Sequence, residues 1–266
     1  MIPARNEIEN LARRAGRLAR AGFSSRPGFG QGLEVEYKGV IDLVTEVDRR
    51  SEETILGEIK SRYPEDRILA EESGAKPGEA CCVWFVDPLD GTINFAHGIP
   101  IYSISIAYQR DGLMQIGVVY DPERDECFSA ELGQGAWLNG EPIKVSSTQE
   151  LDQSLLVTGF PYDIRTNPET NLDAFSRFSL LTQGVRRLGS AALDLCYVAA
   201  GRFDGYWEIR LSPWDMAAGG LIAREAGGVV TDLRGGDDYL HQQSHSILAA
   251  NSRLHAQMLA VLNSKE

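Results

Sequence analysis

The residues best suited to chemistry are acids at the ends of apolar runs. Trp84-Phe85-Val86 leads directly into Asp87-Pro88-Leu89-Asp90-Gly91-Thr92. An apolar strand ending on two carboxylates three residues apart buries both, unless a cation meets them there. Pro88 has no N–H to give a sheet ladder and predicts the end of the strand. Gly91 permits close backbone approach to a ligand, and Gly91 and Thr92 offer N–H groups and a hydroxyl towards an anion. The plainer alternative is an Asx turn after a strand. A second pair, Glu71-Glu72, follows Ile68-Leu69-Ala70. Neighbours in an extended chain point to opposite sides, so at most one of these acids faces inward, and a solvated loop is the alternative. A third acid stands in Ser212-Pro213-Trp214-Asp215, where capping serine, first-turn proline and third-position acid are also ordinary helix-start chemistry.

Taken together the set offers only oxygen donors. No His or Cys stands at metal-ligand spacing, and hard oxygen ligands select Mg²⁺ or Mn²⁺ over Zn²⁺. His97, His241, His245 and His255 are scattered and read as surface or core residues. Neither a Walker A loop nor a G-x-S-x-G nucleophile elbow is present. The acids therefore point to chemistry by water on a hard cation rather than by a covalent nucleophile.

The elements that must position these acids follow from periodicity. Ile8, Leu11, Ala12, Ala15, Leu18 and Ala19 mark a first helix, with Gly22 as its stop. Ser24 to Gly32 is glycine-rich and follows no strand, so it reads as a loop. Thr45-x-x-Asp48 has the form of a capping box for a second helix with Ile55, Ile59 and Tyr63 on its buried face, ended by Pro64. Strands are expected from Cys81 to Val86, Ile101 to Tyr108 and Ile116 to Tyr120, and Asn139-Gly140 as a hairpin turn. Beyond residue 145 the expected order is strand Leu155 to Thr158, helix Ser190 to Ala200, strand Tyr206 to Ile209 and helix Pro213 to Ala226. A strand Ile247 to Ala250 and a last helix from Asn251 complete it. This mixture predicts a layered α/β (α+β) fold. Its halves are 1–145, carrying most of the acids, and 146–266, carrying Asp215, joined as one compact unit.

Whole-chain properties narrow the partners. With 38 acidic and 26 basic residues in 266, the net charge is −12, which gives no general attraction to nucleic acid. No run approaches the roughly 20 apolar residues that span a bilayer. Four cysteines without C-x-x-C spacing, and no signal-peptide pattern at the start, predict a reducing cytoplasm without membrane attachment.

At these residues the chain closely resembles the inositol monophosphatase family. The hallmark W-x-x-D-P-x-D-G-T-x-N-F stands at Trp84 to Phe95, and W-D-x-A-A-G-x-L-I-x-x-E-A-G-G at Trp214 to Gly228. Asp42-Leu-Val-Thr45-Glu-Val-Asp48 and Glu71-Glu72-Ser73 match in family order, and Arg186 to Leu195 looks like the bacterial branch. Ala70 and Ile93 depart from common family residues without removing a ligand, and Ile93-Asn94-Phe95 argues against the phosphoadenosine-phosphate branch.

The resemblance implies a layered αβαβα sandwich of the lithium-sensitive sugar phosphatase type, commonly a homodimer, with two or three Mg²⁺ and in-line attack by a metal-activated water. It implies Glu71, Asp87 and the Leu89 carbonyl for one Mg²⁺, and Asp87, Asp90 and Asp215 for the second. Glu71 would also lie near a third ion. Thr92 and Asp48 would orient the attacking water, and the Gly91 and Thr92 N–H groups would hold phosphate. Gly189, Ser190, Ala191 and Glu208 would contact the alcohol, with Asp90 and Asp215 also facing the substrate. The implied substrate is a small phosphorylated polyol or sugar: inositol-1-phosphate first, with fructose-1,6-bisphosphate or a related sugar or nucleotide phosphate as the alternative. A non-catalytic regulatory binding protein on the same fold is the alternative of another class.

Overall fold

A computed structural model describes residues 2–25, 35–37, 43–240 and 245–264. Asp42, His241 and most of the glycine-rich stretch after Ser24 lie outside the described residues.

Along the chain, helix α1 (Arg5–Ser24) precedes a short ribbon of β1 (Val35–Tyr37) and β2 (Leu43–Thr45), which leads into α2 (Glu46–Arg62). Next come β3 (Asp66–Ala70), β4 (Gly74–Lys76), β5 (Glu79–Asp90) and the short α3 (Thr92–His97). A meander follows: β6 (Ser103–Arg110), β7 (Leu113–Asp121), β8 (Glu126–Glu131), β9 (Gly135–Leu138) and β10 (Glu141–Pro142). The remainder is β11 (Leu155–Thr158), α4 (Leu172–Leu181), β12 (Gly184–Arg186), α5 (Ala191–Ala199), β13 (Gly205–Glu208), α6 (Pro213–Glu225), β14 (Val229–Thr231), β15 (Ile247–Ala250) and α7 (Ser252–Asn263).

These elements stack in five layers. An eight-stranded sheet has the order β10-β9-β8-β7-β6-β5-β3-β4, antiparallel throughout except for β3 with β5. A five-stranded sheet has the order β12-β11-β13-β15-β14, with β11 parallel to β12 and β13. Helices α1 and α2 cover the outer face of the larger sheet, α5 and α6 fill the space between the sheets, and α4 and α7 cover the far face of the smaller one. The expected αβαβα sandwich is what the chain forms.

Local chemistry explains the elements that matter. Thr45 caps α2: its hydroxyl accepts the Val47 N–H at 3.2 Å, while Asp48 returns a bond from the Thr45 N–H at 3.0 Å. The hairpin at Asn139-Gly140 has φ of 50° and 86°, the pair of positive values that a two-residue turn between twisted strands needs. Helix α6 is small-residue-rich because it is squeezed. Met216 to Ala223 are all buried, and a Cβ at Gly117 on β7 would stand 2.7 Å from the Ala218 carbonyl oxygen.

Two expectations change. Helix α1 runs through Gly22 to Ser24, and a Cβ on Gly22 would stand 2.6 Å from a Val47 methyl, so this glycine serves packing rather than termination. Strand β5 does not stop at Pro88. Its ladder with β6 pairs Asp87 with Ser105 and Asp90 with Ser103, so three steps on one strand meet two on the other. That extra residue is a bulge, and it absorbs the missing proline N–H.

Candidate active site

The bulge decides where the acids point. In a regular strand, residues three apart face opposite sides; one inserted residue brings Asp87 and Asp90 back to the same side. The two lie buried on the floor of a cavity of about 240 Å³. Glu71, Thr92, Glu208 and Asp215 line the same cavity, as do Leu89, Gly91, Gly189, Ser190 and Ala191. Every site residue expected from the sequence is therefore brought to one place, with Asp48 standing behind the wall.

Asp87, Asp90 and Asp215 are each gripped through one oxygen by a neighbouring donor. The Asp87 Oδ1 accepts the Leu89 N–H at 2.9 Å. The Asp90 Oδ2 accepts the Ala192 N–H at 2.9 Å together with the Ser190 hydroxyl. The Asp215 Oδ2 accepts the Ser212 N–H at 2.8 Å, the reverse half of the capping box at the start of α6. The helix-start role of Asp215 and its place in the site are thus one arrangement, since the cap bond fixes the carboxylate at the cavity wall. Ser190, expected to meet the alcohol, is buried with its hydroxyl turned onto Asp90.

Repulsion within the set is strong. Asp87 is pushed well above the usual carboxylate range, first by burial and then by Glu71, Asp90 and Asp215. Asp215 is pushed up in the same way by burial, Asp90 and Glu71, while for Asp90 the upward push of burial is opposed by its donors. Among the described residues no three acids, histidines or cysteines are drawn into a finished metal cage. The donor chemistry nevertheless fits a hard cation: four carboxylates from three stretches, mutually repelling, three of them already anchored. The Leu89 carbonyl oxygen lies 3.0 Å from the Thr92 Oγ1 and has lone pairs to offer a cation.

Thr92 and Asp48 form a relay into the wall. The Thr92 hydroxyl lies 3.1 Å from the Asp48 Oδ1, while the Asp48 Oδ2 accepts from Thr45. Burial raises Asp48 to about 6, against the lowering effect of these bonds. A threonine hydroxyl that donates backwards presents its lone pairs forwards, towards the cavity. Gly91 begins α3 with φ 98°, and a Cβ there would lie 2.9 Å from the Ile101 carbonyl, so only glycine fits the turn.

Several positioning residues were not found from the sequence. The Ser51 hydroxyl donates to the Pro88 carbonyl at 2.8 Å, tying the bulge to α2. Buried Glu52 accepts the Glu72 and Ser73 N–H groups at 2.9 and 3.0 Å, holding the loop that carries Glu71. The available signal was helical spacing: Asp48, Ser51 and Glu52 continue the stripe of Ile55 and Ile59. At the other end of the cavity, the Tyr206 hydroxyl donates to the Glu208 Oε2 at 2.6 Å, and Arg187 and Asp194 line the wall. His97 is exposed, and His255 pairs with Thr231 at 2.8 Å; neither lines the cavity.

Known proteins carry the same arrangement of chain. Residues 4–266 match the inositol monophosphatase family. The Escherichia coli protein named Nus factor SuhB is 42% identical over 261 residues, covering 98% of this chain and 96% of its own. Extragenic suppressor protein suhB from Bartonella henselae superposes with a TM-score of 0.90 at 39% identity, covering 98% of both chains. The inositol monophosphatase from Anabaena superposes with a TM-score of 0.84 at 43% identity, covering 95% of this chain and 92% of its own. Matched by the family model over residues 4–266 and by relatives along nearly all of their own length, the chain belongs to the inositol monophosphatase family.

Proposed function

We propose that the chain is a Mg²⁺-dependent phosphate monoester hydrolase acting on inositol-1-phosphate by in-line attack of water. The observation that carries this reading is the convergence of Glu71, Asp87, Asp90 and Asp215 in one cavity beside the Thr92–Asp48 relay. The family is generally metal-dependent, and Glu71, Asp87, the Leu89 carbonyl, Asp90 and Asp215 are the groups that would hold two or three ions, with Mn²⁺ as a substitute. When bound, Mg²⁺ supplies neutralisation of the phosphate dianion, Lewis-acid polarisation and support for the leaving oxygen.

The chain's own residues do the rest. Thr92, its hydroxyl proton directed to Asp48, accepts a hydrogen bond from the attacking water and orients it. Asp48 fixes the hydroxyl rotor. The Gly91 and Thr92 N–H groups face the phosphate oxygens, and Glu208 accepts hydroxyls of the alcohol. A homodimer, lithium inhibition and a cytoplasmic setting accompany this reading; no helix among the described residues is long and apolar enough to cross a membrane.

Phosphate release from inositol-1-phosphate, fructose-1,6-bisphosphate and other small sugar and nucleotide phosphates, with and without Mg²⁺, tests the proposal. The expected result is turnover only with Mg²⁺ and the highest kcat/KM on inositol-1-phosphate. A much higher value on fructose-1,6-bisphosphate would move the substrate assignment within the same chemistry. A second reading, a regulatory binding protein on this fold, draws support from the name Nus factor carried by the Escherichia coli relative. No turnover on any member, with Mg²⁺ binding demonstrated, favours that reading.

A further inference from the structure

Cys81 and Cys82 are neighbours in β5, and the fold brings their sulfurs together. In a regular strand, adjacent side chains point to opposite faces of the sheet. Here the ladder between β3 and β5 pairs Asp66 with Glu79 and then Arg67 with Val83, so one step on β3 is matched by four on β5. The residues just before Val83 bulge out of that ladder. On the other side Cys82 stands opposite Arg110, and the Cys81 carbonyl accepts the Asp111 N–H at 2.7 Å. The Cys81 and Cys82 Sγ atoms are left 3.5 Å apart, with Cys81 exposed and Cys82 buried. Neither residue lines the acid cavity.

The remaining two cysteines are of a different kind. Cys127 and Cys196 are both buried. Burial pushes the Cys127 thiol up to about 12 and Cys196 well above its ordinary value, so both keep their protons and are inert. Of the four, Cys81 alone is open to a dissolved reagent, and it has a second sulfur in contact.

We propose that Cys81 and Cys82 form a modification site for small oxidants of the hydroperoxide class. The Cys81 sulfur attacks a peroxide oxygen and the O–O bond breaks. Sulfur is oxidised to a sulfenic acid, and the peroxide is reduced to water or an alcohol. The Cys82 sulfur then attacks the Cys81 sulfur, the S–O bond breaks, and water leaves with the Cys82 proton. The product is a disulfide between neighbours, with no oxygen retained. Their Cα atoms stand about 3.8 Å apart across a trans peptide, against roughly 4.4 to 6.8 Å in ordinary disulfides. The ring is therefore strained, and dithiols reopen it readily. A bond that closes and reopens is the kind compatible with a reducing compartment.

Hydrogen peroxide tests the site on the full chain, at a dose that consumes an equal concentration of glutathione. The readouts are the mass of the peptide carrying both cysteines and thiol counting in denaturant. The wild type is expected to lose two of its four thiols and, on that peptide, the mass of two hydrogens. Dithiothreitol should restore both. Cys82→Ser should instead hold a sulfenic acid on Cys81 that dimedone captures, and Cys81→Ser should keep all its remaining thiols. A wild-type chain that loses no thiols is not reached by the oxidant, which overturns the proposal. Dimedone capture on Cys81 as complete in the wild type as in Cys82→Ser overturns it as well, because Cys82 then does not resolve the sulfenic acid. So does loss of thiols through disulfide-linked pairs of chains, which makes Cys81 an ordinary surface thiol. None of these readouts depends on which ester, if any, the cavity hydrolyses.

Discussion

The two ends of the cavity are both acidic, yet they are built in opposite ways. At one end Asp87, Asp90 and Asp215 are each held through an oxygen by a backbone N–H, and the charges left over repel one another. At the other end Glu208 is held by a phenol, and an oxygen of Asp194 is held by nothing. Crowded, oriented carboxylates make sense facing a cation, whose charge they share. Sparse acids make sense facing hydroxyls. On the proposed reading the same residue type would serve two recognitions, and what separates them is the kind of fixed donor, backbone N–H groups at one end and a phenol at the other.

Breaking the cation end should have the largest effect. Asp90→Asn keeps the shape and the Ser190 and Ala192 contacts but removes a charge. Activity should fall more than about 100-fold, since even outer partners of metal ligands are worth about 10–100-fold. The far-ultraviolet circular dichroism should stay as in the wild type. Near-normal turnover would remove Asp90 from the chemistry.

A second experiment separates the ends by pH. Asp48 at about 6 and Glu208 at about 7 lie above their ordinary values of 3.8 and 4.5, chiefly through burial. Between those ordinary values and the raised ones the folded chain holds more protons than the unfolded one. Their contribution to stability is therefore largest at low pH and declines as pH rises through 6 and 7. For Glu208 the decline amounts to about 3 kcal/mol. Urea titrations in EDTA from pH 4.5 to 8 should show it, and Glu208→Gln should flatten it. Saturating Mg²⁺ should raise the midpoint at pH 7.5 by adding about 2.7 kcal/mol at a hundredfold excess over Kd. The slope attributable to Glu208 should survive the metal if the cation is held, as proposed, by Glu71, Asp87, Asp90 and Asp215. A slope abolished by Mg²⁺ would merge the two ends into one site.

The smallest effect concerns support for the cation end. Glu52→Gln leaves one acceptor oxygen for two N–H groups, so the loop carrying Glu71 loosens. About a tenfold weaker Mg²⁺ affinity is expected by calorimetry, with inositol-1-phosphate KM at saturating metal little changed. An equal effect on both would assign Glu52 to general stability.

Much of this was readable in the sequence, because it is written locally. The capping box at Thr45, the Asn139-Gly140 turn, strand Leu155–Thr158 and the start of α6 each depend on a few neighbouring residues, and each lies where its pattern put it. Pro88 misled because its missing N–H is absorbed by the ladder with Ser103 and Ser105, which no local pattern encodes. Short β14 and the amphipathic α4 escaped notice, one too brief for periodicity and the other behind a loop rich in polar residues. In the cavity, the motif acids were legible by their spacing. Glu52 and Asp194 were not, since an acid on the buried side of a helix declares its purpose only when its partners, or their lack, can be seen.

The clasp on Asp90 carries a consequence for how the chain comes to life. Asp90 and Ser190 stand 100 residues apart, and closing a loop of that length opposes ordering by about 4 kcal/mol beyond a constant. That link cannot form until α5 has docked between the two sheets. A nascent chain that has completed its larger sheet therefore still holds an unclasped, mutually repelling acid floor. Competence for the chemistry arrives late and all at once, as a property of the finished topology rather than of the motif that advertises it.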